Sequence, residues 1–476
     1  MINLTVKNLS FLAFLLVYGL SCSPVKEKQA ISDGGEVSAW ITTRDQKSLL
    51  TKQSIPLSFD SDSVFTEVIE VDTAQRFQSI DGFGFALTGG SAYLINQKLS
   101  PAKREELLKE LFLTKGTGIG VSYLRISIGS SDLDDHVFTY NDMPKGKVDI
   151  QLNQFSLEED RKNLIPLLKQ IIAINPAIKI MASPWSAPAW MKTNQSLKGG
   201  SLATAYYEVY AQYFVRYLQG MAKEGIIIDA ITIQNEPENP NNNPSMVMTA
   251  EEQKIFVKKH LGPAFQTNGI KTKIVIFDHN CDHPNYPISI LNDSEAKKFI
   301  DGSAFHLYLG NIDALSQVQV AHPDRNIYFT EQWTWSKGEF GGDLRWHTKN
   351  LIIGATRNWS RNVLEWNLAA DENQNPHTDA GGCTECLGAL TIGDSIKRNV
   401  SYYIIGHASK FVSPNSVRIA STQPSSLPNV AFQTAHGQKV LIVLNDTDRA
   451  QKFSIRFAVR TASAELPASA VGTFVW

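Results

Sequence analysis

The sequence predicts an α/β fold, a (β/α)8 TIM barrel with an attached β-sandwich built from both chain ends. Between about 79 and 395, short apolar runs alternate with longer amphipathic ones, the pattern of repeated βα units. Eight such apolar runs occur in that order, the number that closes a barrel. Outside them, one segment near each end alternates residue by residue like the strands of a sandwich. The 476 residues suit one large domain with a smaller one, and 43% hydrophobic against 19% charged residues is the balance of a folded chain.

The expected barrel strands cover 80–85, 123–128, 178–182, 228–233, 274–277, 304–308, 327–329 and 363–366. Helix starts stand between them. Ser100-Pro101 places a cap and a first-turn proline before AKREELLKELF, and Ser156 with Glu159 and Thr249 with Glu252 have capping-box spacing. A helix expected over 203–223 carries Tyr206, Tyr210, Tyr213, Phe214, Tyr217 and Met221 at helical spacing, a stripe for packing on the barrel. The sandwich is assigned to 39–78 (VSAWITT, then SVFTEVIEVDT) and to 396–476 (VRIAST, VAFQTA, KVLIVLND, KFSIRFAV, GTFVW), leaving 79–395 to the barrel.

At the N-terminus, Lys7 precedes an apolar run from Leu9 to Leu20, which reads as a signal peptide over 1–22. Gly19-Leu20-Ser21 before Cys22 approximates a lipoprotein box, so Cys22 is a lipidation candidate, with ordinary cleavage as the other reading. Residues 23–38 read as a tether. The expected location is outside the cytoplasm, periplasmic or on the surface of a bacterial cell, with membrane attachment only through that lipid. The net charge of −2, without a Lys/Arg block, gives no footprint for nucleic acid. Cys383 and Cys386, in GGCTECLG, suit a local disulfide in an exported protein; a CxxC also suits redox or zinc chemistry, though no second CxxC completes a four-thiolate site. Cys281 receives no role. No cofactor and no metal are assigned.

The chemistry points to the carboxyl ends of the strands, where barrels of this kind keep their reactive groups. Glu236 follows strand four in TIQNEPENP, and Glu331 follows strand seven in IYFTEQW. Two carboxyl groups at one mouth can divide the cleavage of a glycosidic bond, one giving a proton to the leaving oxygen and the other attacking the anomeric carbon. A structural ion pair, for example with Arg125, is the competing reading. Tryptophans shift the balance. Trp185 and Trp366 follow strands, and Trp190, Trp333 and Trp335 lie just beyond strand ends, where flat indoles can stack on sugar rings. Asp132, Asn235, His306, Tyr308 and Asn367 add polar groups at the same rim.

The stretches QSIDGFGFALTGGSA, YLRISIGSSDLD, MASPWSAPAWMKTN, TIQNEPENP, SAFHLY, YFTEQW, EWNLAAD and YYIIGHASKFVSPNSVRI resemble glycoside hydrolase family 30, the glucosylceramidase-like family, from about Trp40 to Trp476. The resemblance implies a retaining β-glycosidase with Glu236 as acid/base and Glu331 as nucleophile. It also implies that Asn235 binds the sugar 2-OH and that Asp132 and Trp185 hold the sugar's terminal hydroxyls, with Trp366 as a wall. Arg125, His306 and Tyr308 would orient the nucleophile and keep it ionised. Leu307, Gln332-Trp333 and the loop DENQNPHTDAGGCTECLG depart from the lysosomal glucosylceramidases where leaving-group subsites would lie. The GGCxxC loop is similar to bacterial members acting on β-1,6-linked glucans. The expected partner is therefore a β-glucan or β-glucoside, β-1,6-glucan or its oligosaccharides above all.

Other readings stay open at this stage: a glucosylceramidase, a general β-glucosidase, or a non-catalytic surface glycan-binding lipoprotein. The last has no use for two mouth carboxylates. A metal hydrolase would draw on Asp278, His279, Asp282 and His283 in FDHNCDHP, but no ligand spacing such as HExxH supports it.

Overall fold

The computed structural model describes residues 35–59 and 64–476. The expected leader, Cys22 and most of the tether lie outside the described residues. Eight parallel strands close into a barrel, each bonded to the next: β1 (Gly82–Ala86), β2 (Tyr123–Ile128), β3 (Lys179–Pro184), β4 (Ala230–Thr232), β5 (Lys273–Cys281), β6 (Ile300–Gly310), β7 (Asn326–Glu331) and β8 (Ser360–Asn367). Every one of them falls on an apolar run expected from the sequence.

The barrel interior is built in layers. Tyr123, Met181, Ala230, Val275, Ala304, Tyr328 and Leu364, one from each of β2 to β8, form an apolar layer. β1 contributes Gly84, where a Cβ would stand 1.9 Å from the Tyr123 carbonyl oxygen, so glycine is what lets these two strands approach. Strand side chains alternate faces, so the residue two further along points inward again. At that level the interior turns polar: Arg125, Ser183, Thr232, His306 and Thr330, closed by Trp366 on β8. β5 breaks the alternation. Phe277 and Asp278 both adopt left-handed backbone, φ 73° and 64°, and the register against β6 slips there. This bulge turns Asp278, rather than Phe277, into the barrel.

The second core packs Val37, Ile69, Ile419, Leu441, Phe453 and Phe474. Its sheet joins both chain ends, for Glu36–Thr42 pairs with Val471–Val475, and Val68–Ser79 lies between Val417–Ser421 and Gln451–Phe457. Two expected boundaries move. Residues 36–38, assigned to the tether, are already strand, because Val37 is buried in the sandwich core and Ser38 pairs with Val475. The helix Val400–Ser409 packs on β1 and shares its buried face with the barrel core, so the barrel continues past 395 and the C-terminal sandwich strands begin at Val417.

Local signals behave unevenly. Thr249 and Glu252 form a reciprocal capping box on Ala250–Phe256. Ser156 accepts only from the Glu158 amide, and its short helix, Glu158–Lys162, starts without a box. The aromatic stripe lies on Tyr207–Lys223, where Tyr210, Tyr213, Phe214 and Tyr217 are buried against the barrel.

Candidate active site

Glu331 ends β7, and a register slip against β6 sets it beside His306. Arg125 Nη1 donates to its Oε2 at 2.5 Å, and the Tyr308 hydroxyl donates to its Oε1 at 2.9 Å. The same guanidinium uses Nη2 on Asn235 Oδ1 (2.7 Å) and on Asp278 Oδ2 (2.8 Å). Asp278 is itself gripped by Thr232 at 2.7 Å and Thr330 at 2.7 Å. With its Nε donating to Ser183 Oγ at 3.2 Å, a fully buried arginine is thus held among four acceptors, and its fork fixes Glu331 relative to Asn235.

Glu236 follows β4 with a left-handed backbone, φ 47°, which a non-glycine residue adopts only where its surroundings impose it. Here the imposed contact is visible: its amide donates to the Asp278 carbonyl at 3.0 Å, at the β5 bulge. Its side chain is surrounded by donors. Asn239 and Asn242 donate to Oε2 at 2.7 and 3.0 Å, and His306 Nδ1 stands 3.2 Å from Oε1. That nitrogen is also 3.6 Å from Glu331 Oε1, while the other ring nitrogen lies 3.1 Å from Asp278 Oδ1. One imidazole therefore touches all three carboxylates.

The electrostatics follow from these contacts. Burial works against the His306 imidazolium, but the Glu331 charge and the hydrogen bonds to Asp278 and Glu236 outweigh it and push its pKa up to about 9. Burial raises the Glu236 carboxyl, yet the hydrogen bond and charge of His306, the charge of His279 and the Asn239 amide bring it down to about 2. Glu331 moves above its usual range: burial and the Glu236 charge exceed the pull of His306 and Arg125. Asp278 is depressed far below the carboxylate range, since Arg125 and His306 overcome its burial. Asp132 rises to about 8, through burial and then the charges of Glu331 and Glu236.

The walls are aromatic. Trp185 and Trp366 stack with ring centres 5.4 Å apart, and the Arg125 guanidinium lies 4.9 Å from the first ring and 5.7 Å from the second. The Trp185 indole N–H is buried without a partner, an unused donor in the wall. Leu133 and Cys386 pack against the pair, with Trp333 and Cys383 at the edge. Cys383 and Cys386 are disulfide-bonded. Asn367 stands apart from the others: its side-chain Oδ1 accepts from the Ser91 hydroxyl at 2.8 Å and ties the end of β8 to the first helix.

The FDHNCDHP cluster does not gather. Asp278 points into the barrel, His279 approaches Glu236 at 4.0 Å, and His283 bonds Glu238 at the surface. Among the described residues, Glu236, His279 and His306 have ligating atoms close enough to share a cation, but His306 already spends both nitrogens on Glu236 and Asp278. Asp278 was singled out in the sequence only as a possible metal ligand, not as a partner of Arg125 and His306, and Asn239 and Asn242 were not singled out at all. Strict alternation along β5 hides the role of Asp278. The two asparagines sit in the loop PENPNNNP, where an Asn-rich run beside an acidic group was the available signal.

Comparison with known proteins decides the family. Residues 80–412 match the Glycosyl hydrolase family 30 TIM-barrel domain, and residues 415–474 match the Glycosyl hydrolase family 30 beta sandwich domain. The chain belongs to glycosyl hydrolase family 30. It is a glycoside hydrolase. Among family 30 relatives, an endo-1,6-beta-D-glucanase of Neurospora crassa is 33% identical over 431 residues, 86% of this chain and 88% of that one. The lysosomal acid glucosylceramidase of Mus musculus is 30% identical over 407 residues, 79% of this chain and 77% of its own length. A solved endo-beta1,6-glucanase superposes with a TM-score of 0.86 at 35% identity, covering 93% of this chain and 99% of that one. The barrel and sandwich of family 30 are thus both present, and the paired glutamates stand at the mouth of the barrel.

Proposed function

We propose that this family 30 enzyme hydrolyses β-1,6-linked glucan in endo fashion, with retention of configuration, by double displacement on Glu331. The observation that carries the chemistry is the single His306 nitrogen that reaches both glutamates. Such sharing suits the spacing of about 5 to 5.5 Å of a retaining pair better than the about 6.5 to 9.5 Å that admits a water between carboxylates. The similarity to endo-1,6-beta-glucanases supports the substrate and the endo mode.

In the first step Glu331 attacks the anomeric carbon, the glycosidic C–O bond breaks, and Glu236 protonates the departing oxygen. A carboxyl held at about 2 keeps no proton of its own at neutral pH. His306, 3.2 Å away and protonated, is the reservoir that supplies it through Glu236 Oε1. Once Glu331 is esterified, Glu236 is again a carboxylate and takes a proton from the water that attacks the ester, returning it to the pair. Arg125 and Tyr308 hold Glu331 in line, and Asn235, fixed by Arg125, faces the sugar 2-OH. The Trp185 N–H and Asp132 are donors for the ring's terminal hydroxyls. No step calls for a metal or cofactor.

The protein is proposed to act outside the cytoplasm after export by the leader over 1–22, with Cys22 as the point of lipid attachment; the disulfide in the active-site rim fits an oxidising compartment. Product analysis of the purified enzyme on β-1,6-glucan, β-1,3-glucan, glucosylceramide and aryl β-glucosides tests the reading. Internal cleavage of β-1,6-glucan into a ladder of oligosaccharides is expected. Cleavage of glucosylceramide or aryl glucosides alone overturns the substrate, and no cleavage of any overturns the activity.

A further inference from the structure

The loop after β8 is built as a strap. Thr378 donates its amide to the Asp132 carbonyl at 2.9 Å, Asn243 donates to the Asp379 carbonyl at 2.6 Å, and Lys198 donates to the Ala380 carbonyl. It thereby ties together the loops that follow β2, β3 and β4, and then reaches the segment after β7. There Cys386–Leu387 forms a two-stranded ladder with Thr334–Trp335. The Cys383–Cys386 disulfide closes the turn between, and both cysteines lie against the Trp185 and Trp366 wall.

Trp335 stands out within this construction. The residue is 44% exposed, four residues past Glu331, at the rim rather than in the wall. A single exposed aromatic is ordinary on a protein surface, and what sets Trp335 apart is its place at the rim of the site and its fixed orientation. The ring is also fixed in place. Its Nε1 donates to Glu385 Oε2 at 2.9 Å, Lys337 holds the other oxygen of that carboxylate, and the Ser336 amide donates to the Glu385 carbonyl at 2.9 Å. Glu385 sits inside the disulfide-closed turn, so a short covalent ring orients the carboxylate that orients the indole. An exposed aromatic face with its polar edge already satisfied offers only its π-surface, which is what the C–H face of a pyranose takes.

We propose that Trp335 is the stacking platform for a glucosyl unit in the departing portion of the substrate, and that Glu385 is its positioning residue. The inference rests on the β-1,6-glucanase reading and adds the leaving-side contact that selects for a chain of sugars. The unit transferred to Glu331 would lie against Trp185 and Trp366, beside the strap that Thr378 ties to the Asp132 carbonyl. Trp335 lies outside that wall, at the rim four residues past Glu331, and we place the unit stacked on it on the departing side of the bond. A β-1,6 linkage, with its extra rotatable bond, allows that unit to fold back onto a rim face.

The test compares β-1,6-linked gluco-oligosaccharides with β-glucosyl fluoride, whose leaving group has no ring to stack. In Trp335→Ala, kcat/KM on the oligosaccharides should fall about tenfold through KM, the loss of one stacking contact, while turnover of the fluoride stays at the wild-type level and reports an intact fold. Trp335→Phe should recover most of the loss. Glu385→Ala should raise KM on oligosaccharides by less, with kcat unchanged, and Glu385→Gln, which keeps an acceptor for the indole, should restore it. Equal losses on both substrates, or no loss on either, overturn the platform. A wild-type enzyme that leaves β-1,6-linked oligosaccharides intact overturns the substrate reading instead, and that failure is visible before any variant is made.

Discussion

At the amino end of the barrel, Arg361 grips Asp81 with two nitrogens at 2.8 and 3.2 Å, Asp301 accepts from Tyr328 and Asn326 at 2.6 and 2.9 Å, and Asp229 accepts from the Ile180 amide at 2.9 Å. At the carboxyl end, Arg125 and His306 serve Glu236, Glu331, Asp278 and Asn235 together. Both ends are charged, and the amino end even opens a cavity of about 510 Å³ past Ile226, Ile227 and Lys273. The difference lies in how the charges are satisfied. At the amino end each carboxylate has its own donors. At the carboxyl end the donors are shared, a strained Glu236 is held among them, and the Trp185 N–H waits unpaired. Sharing of donors, rather than charge or cavity size, sets apart the end where the chemistry is proposed.

The sharpest way to break this contrast is to remove the proposed nucleophile. Glu331→Gln should lower kcat by on the order of 10⁴-fold or more on every substrate, with sugar binding retained in calorimetry. Glu236→Gln comes next. Its loss should be about 10²- to 10⁴-fold on oligosaccharides and much smaller in the glycosylation step with β-glucosyl fluoride, which needs little protonation to leave. Equal losses on the two would count against the proton-donor role.

The pH profile sharpens the contrast further. The charged form of His306 is favoured in the fold, its pKa raised from 6.5 to about 9, so the stored proton is fully present below 6.5 and is lost as pH rises through about 9. Glu331 must be ionised, and its pKa lies above 4.5, so activity should fall on the acid side sooner than for an ordinary glutamate. kcat/KM against pH should be bell-shaped between those limits, and His306→Gln should erase the alkaline limb along with most of the rate. The smallest effect belongs to the amino end. Arg361→Ala should cost about 1 to 3 kcal/mol in stability by thermal or denaturant unfolding and leave kcat unchanged. A variant that stayed stable and lost activity would dissolve the distinction between the two ends.

Much of this was legible in the sequence because strands buried on both sides write themselves as apolar runs, and all eight barrel strands fall on such runs. Glu236 and Glu331 were visible because a carboxylate at the end of such a run is conspicuous. Asp278 was not. It reads as one acid in a polar loop, and only the bulge at Phe277 and Asp278 turns it inward to join Arg125 and His306. His306 was expected as a polar group of the rim and as a residue orienting the nucleophile; its place between the two glutamates depends on the register slips of β6, which no local pattern encodes. Asn239 and Asn242 reach Glu236 through the fold of a loop, and loops carry turn chemistry but not the direction of each amide.

The most direct measurement is covalent trapping. The enzyme would be incubated with a 2-deoxy-2-fluoro β-glucoside bearing a good leaving group, digested, and the labelled peptide sequenced by mass spectrometry. A fluoroglucosyl adduct on Glu331, with time-dependent inactivation, is the predicted result. An adduct on Glu236, or hydrolysis with inversion and no adduct, would contradict the assignment of the two glutamates on which the account depends.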